Sequence, residues 1–478
     1  MHSVLWSITQ HLIRQGLTAV FMLTLMWQIT PLELGLVGIA NIWNSFLSLF
    51  LELGFGAALV QRKELSPEHP SSVFALNIAA GVVLMLMSIA GSGIFANLMN
   101  APQAQPIIAA LSIGFLLTAL ASAQNSLAVR ELRFKALAIR DLVATSVAAI
   151  VGIVLALHGY GIWAVVVHSL LQNLLRTLLI WRLTPHRLRL KDARWVAIKD
   201  LWGFGSRIFA SSVLNHIVRN TDSIVIGAIL GPEKLGIYNL TQRVTLAPIK
   251  GVTAGLGAFL FSKASRVQDD RDRLKDLYVV AFKALNYLLA MYGIALVTVG
   301  VGLMPLVFGS QWAEAATPMR LMAAALLVGA ATVPLGEVMK ATNHPGWLLR
   351  WGIFFSVITT TALAVGMKYG FYYAVASYSM SYFLALPVVF WIIQKTTGLS
   401  LREFAARTAS SYLTLAAFGA AATSCWIALQ DRPFVAAAAV ALLGIIVVLF
   451  AARTDPDRVR FIGLIPKRFR GRFGPTLT

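Results

Sequence analysis

The 478-residue chain is 58% apolar and 13% charged, with a mean hydropathy of +0.74, where soluble domains run at roughly 45 to 50% and 25%. A soluble globular fold is excluded, because so much apolar surface has no water-free place to go. The net charge of +20 raises nucleic acid as a partner, but the basic residues lie between apolar runs, not in one patch, and point to membrane topology instead. The one cysteine, Cys425, lies within an apolar run, which rules out a disulfide framework or a thiolate metal site within one chain.

A bilayer core of about 30 Å needs about 20 apolar residues per helix. In chain order the apolar runs predict spans at 4–27, 35–60, 73–99, 106–127, 143–157, 162–179 and 202–230. The second half adds 235–261, 279–308, 319–338, 347–365, 371–393, 412–429 and 435–451. The expected class is therefore an all-α polytopic membrane protein of about fourteen transmembrane helices. No basic segment and small-residue cleavage site frame the first run, so it reads as a retained helix, not a signal peptide.

The connections after even-numbered spans carry the basic residues: Arg62 and Lys63; Arg130, Arg133, Lys135 and Arg140; Arg182 to Lys199; Lys263 to Lys275; Lys340 and Arg350; Lys395, Arg402 and Arg407. Connections after odd-numbered spans offer only Lys234, Lys368 and Arg432, with Arg320 at the edge of span ten. Lys and Arg resist translocation, so this alternation predicts even-numbered loops and both termini on the cytoplasmic side. The basic tail 454–478 is expected on anionic head groups there.

The segments Pro31-Leu-Glu-Leu-Gly35 and Pro232-Glu-Lys-Leu-Gly236 lie 201 positions apart (232 − 31). The same offset pairs Gly54 with Gly255, Gly56 with Gly257, Ala57 with Ala258, Leu59 with Leu260 and Arg62 with Lys263. Copies starting at spans one and seven enter the membrane in the same direction, a parallel repeat related by an axis along the membrane normal. The expected organisation is an N-terminal lobe at 1–200, a C-terminal lobe at 201–398, two extra helices in 399–453 and the tail.

Polar side chains inside spans are costly and mark function. Span one carries Ser7, Gln10, Arg14 and Thr18 at helical spacing, and span two carries Asn41, Asn44, Ser48 and Glu52. Span seven carries Ser211, Asn215, Arg219 and Asp222, and span eight Asn239, Arg243, Lys250 and Thr253. Arg219 and Asp222, three residues apart, either pair and fix packing or leave Asp222 as an ion-coupling site. Arg14, Arg243 and Lys250 have too few acids to pair with, and surplus cations suggest an anionic cargo. Glu337 and Lys340 are expected as a local pair, with Arg176, Arg207 and Lys283 snorkelling to the interface. Histidine spacing suggests no metal, and no phosphate-cradling glycine motif or other cofactor signature stands out.

The stretches Ile29-Thr-Pro-Leu-Glu-Leu-Gly-Leu, Gly54-Phe-Gly-Ala-Ala-Leu-Val-Gln-Arg-Lys, Arg130-Glu-Leu-Arg-Phe-Lys, Asn220-Thr-Asp-Ser-Ile-Val-Ile-Gly, Gly231-Pro-Glu-Lys-Leu-Gly-Ile-Tyr and Pro305-Leu-Val-Phe-Gly-Ser-Gln-Trp occur in this order. Together they resemble bacterial polysaccharide exporters, the colanic-acid-exporter type of lipid-linked oligosaccharide flippase, in a superfamily shared with MATE multidrug extruders and the lipid II flippase. The resemblance implies a V-shaped, MATE-like pair of six-helix lobes around a cationic cavity. That cavity would take an undecaprenyl-pyrophosphate-linked glycan and pass it by alternating access through the bacterial inner membrane, in company with a polysaccharide polymerase or export complex. The family lends no residue signature, so the pyrophosphate and sugar candidates remain Arg14, Arg219, Arg243, Lys250, Gln10, Asn41, Asn44, Asn215 and Asn239, with Asp222 for ion coupling. A cation extruder of the MATE type would need carboxylates at mid-depth, and a polymerase or ligase would need a sizeable outer loop.

Overall fold

The computed structural model describes the backbone of residues 2–186, 188–343 and 345–454. Side chains are described from Gln15 to Ala451, apart from 187, 218–219, 247, 250–252, 254, 258 and 344–345. All regular structure among these residues is helical. The N-terminal helices are α1 (His2–Gln28), α2 (Pro31–Glu52), α3 (Phe55–Gln61), α4 (Glu68–Leu98), α5 (Gln105–Leu111), α6 (Ile113–Arg130), α7 (Phe134–Leu157) and α8 (Ile162–Leu183). Then follow α9 (Trp195–Arg266), α10 (Arg271–Ala295), α11 (Val301–Phe308), α12 (Ala316–Ala341), α13 (Pro345–Met367), α14 (Phe371–Leu384), α15 (Leu386–Thr397), α16 (Leu401–Ala428) and α17 (Pro433–Thr454). Eleven helical segments among the described residues are long and apolar enough to cross a membrane, so this is a multi-pass membrane protein.

Helix ends follow local chemistry. Thr30 caps α2, accepting from the Glu33 amide while the Glu33 carboxylate accepts from the Thr30 amide, with Pro31 preset for the first turn. The 72-residue α9 is two helices joined at Gly231, whose φ of 82° and ψ of 176° are open to glycine and strained for other residues. Spans seven and eight meet there without a loop. Span four is α5 and α6, parted where Ser112 turns its hydroxyl onto Ile108 O at 2.7 Å. Span twelve parts at Ala385, just ahead of Pro387, and span nine passes through a π-helical segment, Leu296–Gly300, before Pro305. Span five differs most from expectation: α7 begins at Phe134, so Lys135 and Arg140 stand on its first turns and not in a loop. Phe134 to Leu142 are mostly good helix formers, and Arg140 is held by Asp141 at 2.8 Å and Asn125 at 2.8 Å.

Contacts divide the chain into two compact units, Met1–Asn239 and Leu240–Thr478. The first half of α9 belongs to unit 1 because its aromatic side chains pack on α2 and α3: Phe209 on Phe50 at 5.2 Å, Trp202 on Phe55 at 5.9 Å. Within unit 1, α4 packs on α6, α7 on α8 and α6 on α8, which are spans three on four, five on six and four on six. Within unit 2, α10 packs on α12, α13 on α14 and α12 on α14. These are spans nine on ten, eleven on twelve and ten on twelve, the same order. α16 and α17 pack on α10 through a core containing Tyr287, Met291, Leu415, Phe418 and Val440. The core of unit 1 includes Phe55, Leu59, Phe74 and Leu201.

Several connections between spans are pinned by charge. Arg130 donates to the carbonyls of Leu59 at 2.9 Å, Val60 at 3.2 Å and Lys63 at 2.8 Å, and to that of Arg62. It thereby caps the C-terminus of α3, where carbonyls lack helical partners. Asp200 accepts from Arg62 at 3.4 Å and lies 3.6 Å from the His69 ring. In unit 2, Arg407 pairs with Asp276 at 2.9 Å, and the expected Lys340–Glu337 pair forms at 2.9 Å.

Candidate functional site

The duplicated segments meet. A Cβ built on Gly35 would lie 1.6 Å from Pro232 O, and one built on Gly236 would lie 1.8 Å from Pro31 O. Position five of each copy thus contacts position one of the other, the reciprocal pattern a two-fold relation produces. Gly38 and Asn239, themselves 201 positions apart (239 − 38), stand at the same crossing: a Cβ on Gly38 would lie 2.4 Å from Asn239 Nδ2. Glycine at 35, 38 and 236 lets the backbones of α2 and of the second arm of α9 approach closely, as small residues do in membrane interfaces.

The polar face of span two continues from this crossing. Asn41 is exposed, and Asn44 is half-buried, donating to Ala40 O at 3.0 Å while its Oδ1 finds no partner among the described residues. Ser48 bonds back to Ser45 O at 2.7 Å. Glu52, an exposed residue at the far end, accepts from the buried Ser122 at 3.0 Å. Glu52 therefore has a structural partner.

On α9, Asn215 is exposed and Asp222 is half-buried. Asp222 Oδ2 accepts from the hydroxyl of Tyr238 at 2.7 Å, and its Oδ1 from the Ser223 amide at 2.7 Å. Tyr238 is fully buried. This bond ties the two arms of α9 across Gly231. In unit 2, Arg243 is exposed on the second arm. Gln10 and Arg14 lie on α1 and Arg219 and Lys250 on α9, but their side chains fall outside the described residues, as does almost all of the basic tail 454–478. The expected Arg219–Asp222 pair falls outside them too.

Two polar features escape a reading of the sequence, and one expectation is overturned. Tyr238 was hidden because an isolated tyrosine in an apolar run carries no periodic signal. Span six bears His168, Gln172 and Arg176 at four-residue spacing, a face the sequence does display. His168 stacks on Phe21 at 4.3 Å, Gln172 donates to Thr145 at 2.9 Å, and Arg176 lies 3.3 Å from Asp141. Lys283, expected to snorkel, does not: it is 1% exposed within unit 2, next to the fully buried Asn286 three residues on.

The arrangement offers hydrogen-bonding and charged groups along apolar helices, and among the described residues no cluster of His, Cys, Asp and Glu is placed to hold a metal ion. The succinoglycan biosynthesis transport protein ExoT of Rhizobium meliloti is 26% identical over 362 residues, covering 76% of this chain and 73% of that protein. The lipopolysaccharide biosynthesis protein WzxC of Escherichia coli is 23% identical over 372 residues, covering 76% and 74%. The teichuronic acid biosynthesis protein TuaB of Bacillus subtilis is 23% identical over 378 residues, covering 78% of each. Among solved structures, the lipid II flippase MurJ in an inward closed conformation superposes with a TM-score of 0.74 at 15% identity, covering 96% of this chain and 100% of that one. An inward-facing MATE transporter of the MOP superfamily superposes with a TM-score of 0.60 at 17% identity, covering 82% and 98%. The fold is thus that of the MurJ and MATE transporters. The family described as polysaccharide biosynthesis protein matches residues 28–317, more than half of the sequence, and the chain belongs to it.

Proposed function

We propose that this chain is a flippase that carries an undecaprenyl-pyrophosphate-linked oligosaccharide repeat unit across the bacterial inner membrane for exopolysaccharide, capsule or O-antigen synthesis. The observation that carries the reading is the family match over residues 28–317 on a fold shared with a lipid flippase. The relative named as a succinoglycan transport protein supports transport as the role.

In this reading Arg14, Arg219, Arg243 and Lys250 meet the pyrophosphate, because guanidinium and ammonium groups bind phosphate oxygens strongly where water is scarce. Gln10, Asn41, Asn44, Asn215 and Asn239 meet sugar hydroxyls, and Asp222 exchanges a proton or sodium ion. Alternating access requires the crossing at Gly35 and Gly236 to part and re-form. Both termini lie on the cytoplasmic side, and a polymerase or export complex receives the product. The reaction breaks no covalent bond, so the chain is read as a transporter and not an enzyme.

The shared fold leaves a multidrug exporter or a lipid II flippase as competing readings, and the excess of cations over carboxylates in the spans favours an anionic cargo. Deleting the gene in a polysaccharide-producing host should stop secretion and build up undecaprenyl-linked repeat units on the cytoplasmic face. Normal secretion with new sensitivity to cationic drugs, or a build-up of peptidoglycan precursor, would overturn the proposal.

A further inference from the structure

Unit 2 holds an apolar cleft of about 520 Å³ that the described helices leave unfilled. Ala405, Thr408, Ala409 and Tyr412 of α16 line one wall. Their spacing of three and four puts them on one helical face, and three of the four are small. Across from them stand Leu327, Val328 and Ala331 of α12, with Phe390 of α15. The rings of Phe282 and Phe390 each pack edge-to-face on Phe404, with centroids 4.7 and 5.2 Å apart, and all three line the cleft.

The cleft opens sideways. Leu401 is 58% exposed and Trp391 50% exposed, and both line a second hollow of about 510 Å³ that shares Phe383, Leu386 and Phe390 with the first. Trp391 in turn lines a third hollow with Trp347, Trp351 and Arg350. Trp347 and Trp391 stack at 5.1 Å and 18°. An apolar slot thus runs from the α12 and α16 wall to a tryptophan cluster, the residue type that collects at the depth of lipid head groups.

Charge completes the pattern at that end. Arg350 lines the tryptophan hollow, Lys395 follows Gln394 of the second hollow, and Arg402 follows Leu401. All three are exposed, and none has a carboxylate within ion-pair distance among the described residues. Their neighbour Arg407 is different, being taken up by Asp276 and Glu403. Free cations beside a tryptophan pair, at one end of an apolar slot, match one partner chemistry: a phospholipid with an anionic head group and an acyl chain.

We propose that this slot seats an acyl chain of an anionic phospholipid, with its phosphate held by Arg350, Lys395 and Arg402. The occupant is a resident of the bilayer and does not depend on the cargo proposed above. It fills the space between α16 and the α12 and α15 pair, and so holds the last two helices to unit 2.

The full-length chain, purified in mild detergent, is incubated with phosphatidylglycerol, with phosphatidylcholine of identical chains, or with undecaprenyl phosphate, and bound lipid is counted by native mass spectrometry. Phosphatidylglycerol should be retained over phosphatidylcholine. Replacing Arg350, Lys395 and Arg402 together by Gln should cut retention by at least about tenfold, since each basic residue near an anionic lipid surface is worth roughly a factor of five. Ala409→Trp, which fills the cleft from an exposed position, should cut it as well. The two variants alter different parts of the slot, so a folding failure in one leaves the other informative. Equal retention of both phospholipids, unchanged retention in either folded variant, or preferential retention of undecaprenyl phosphate would overturn the proposal.

Discussion

Gly38 and Asn239 occupy equivalent positions of a duplicated sequence and face each other, with the Asn239 amide nitrogen only 2.4 Å from where a Cβ of Gly38 would stand. Flanked by the Gly35–Pro232 and Gly236–Pro31 contacts, this pair marks the local two-fold relation between span two and the start of span eight.

Gly35→Ala and Gly236→Ala should therefore behave alike. Alanine normally favours a membrane helix over glycine by up to about 1 kcal/mol, but here a methyl group meets a backbone carbonyl with no rotamer to escape to. Overpacking of this kind costs about 1 to 3 kcal/mol. Thermal unfolding in detergent should show both variants destabilised, with export impaired in both. A neutral result for one and loss for the other would contradict the reciprocal contact.

The bond from Tyr238 to Asp222 joins the arms of α9. Tyr238→Phe should cost about 1.5 to 3 kcal/mol, the usual worth of a hydrogen bond to a charged acceptor. Asp222→Asn keeps the acceptor oxygen but removes the charge, so it should preserve protein abundance while export loses its dependence on membrane energisation. Unchanged export with unchanged energy dependence would remove Asp222 as the coupling group.

Arg243→Ala should abolish export without lowering membrane abundance, and Arg14→Ala, Arg219→Ala and Lys250→Ala should do the same. Quantitative immunoblotting alongside secreted polysaccharide separates cargo binding from folding. Wild-type export in all four variants would sink the cationic site.

Arg130 caps α3 through four carbonyl groups. Lysine, a point charge on a flexible stem, cannot reproduce that fork. Arg130→Lys should lower stability by about 2 kcal/mol, in line with the loss of several charge-assisted bonds at a partly exposed site. Proteolysis of the 62–68 connection, read by peptide mapping, should accelerate accordingly. Wild-type stability and cleavage rate would refute the capping role.

Glu131, outside the spans, accepts from Arg133 at 2.6 Å, and its other oxygen lies 2.9 Å from the His186 ring nitrogen. Burial pushes its carboxyl up, but the Arg133 bond and the His186 charge outweigh this and hold it below the ordinary carboxylate value. Because the folded value is the lower one, the stabilisation is full above the unfolded value of about 4.3 and disappears as pH falls through the folded value. Its size is below about 1 kcal/mol, since the groups are partly exposed. The melting difference between wild type and Glu131→Gln should be present at about pH 7 and vanish in acid below about pH 4. A difference independent of pH would refute it.

The sequence by itself determined the class, the near-even spacing of helices, the duplicated stretch from Pro31 to Arg62 and the Glu337–Lys340 pair, because hydropathy, charge placement and close spacing along one helix are local properties. It also displayed the polar faces of spans one, two, seven and eight. Only the tertiary structure decided that Pro31 meets Gly236 and Gly35 meets Pro232, that Tyr238 answers Asp222, and that spans nine to twelve repeat the packing order of spans three to six. It likewise buried Lys283 where snorkelling was expected, and began α7 inside a basic stretch. These depend on which face of one helix another covers, and a linear pattern carries a face's polarity but not its neighbour.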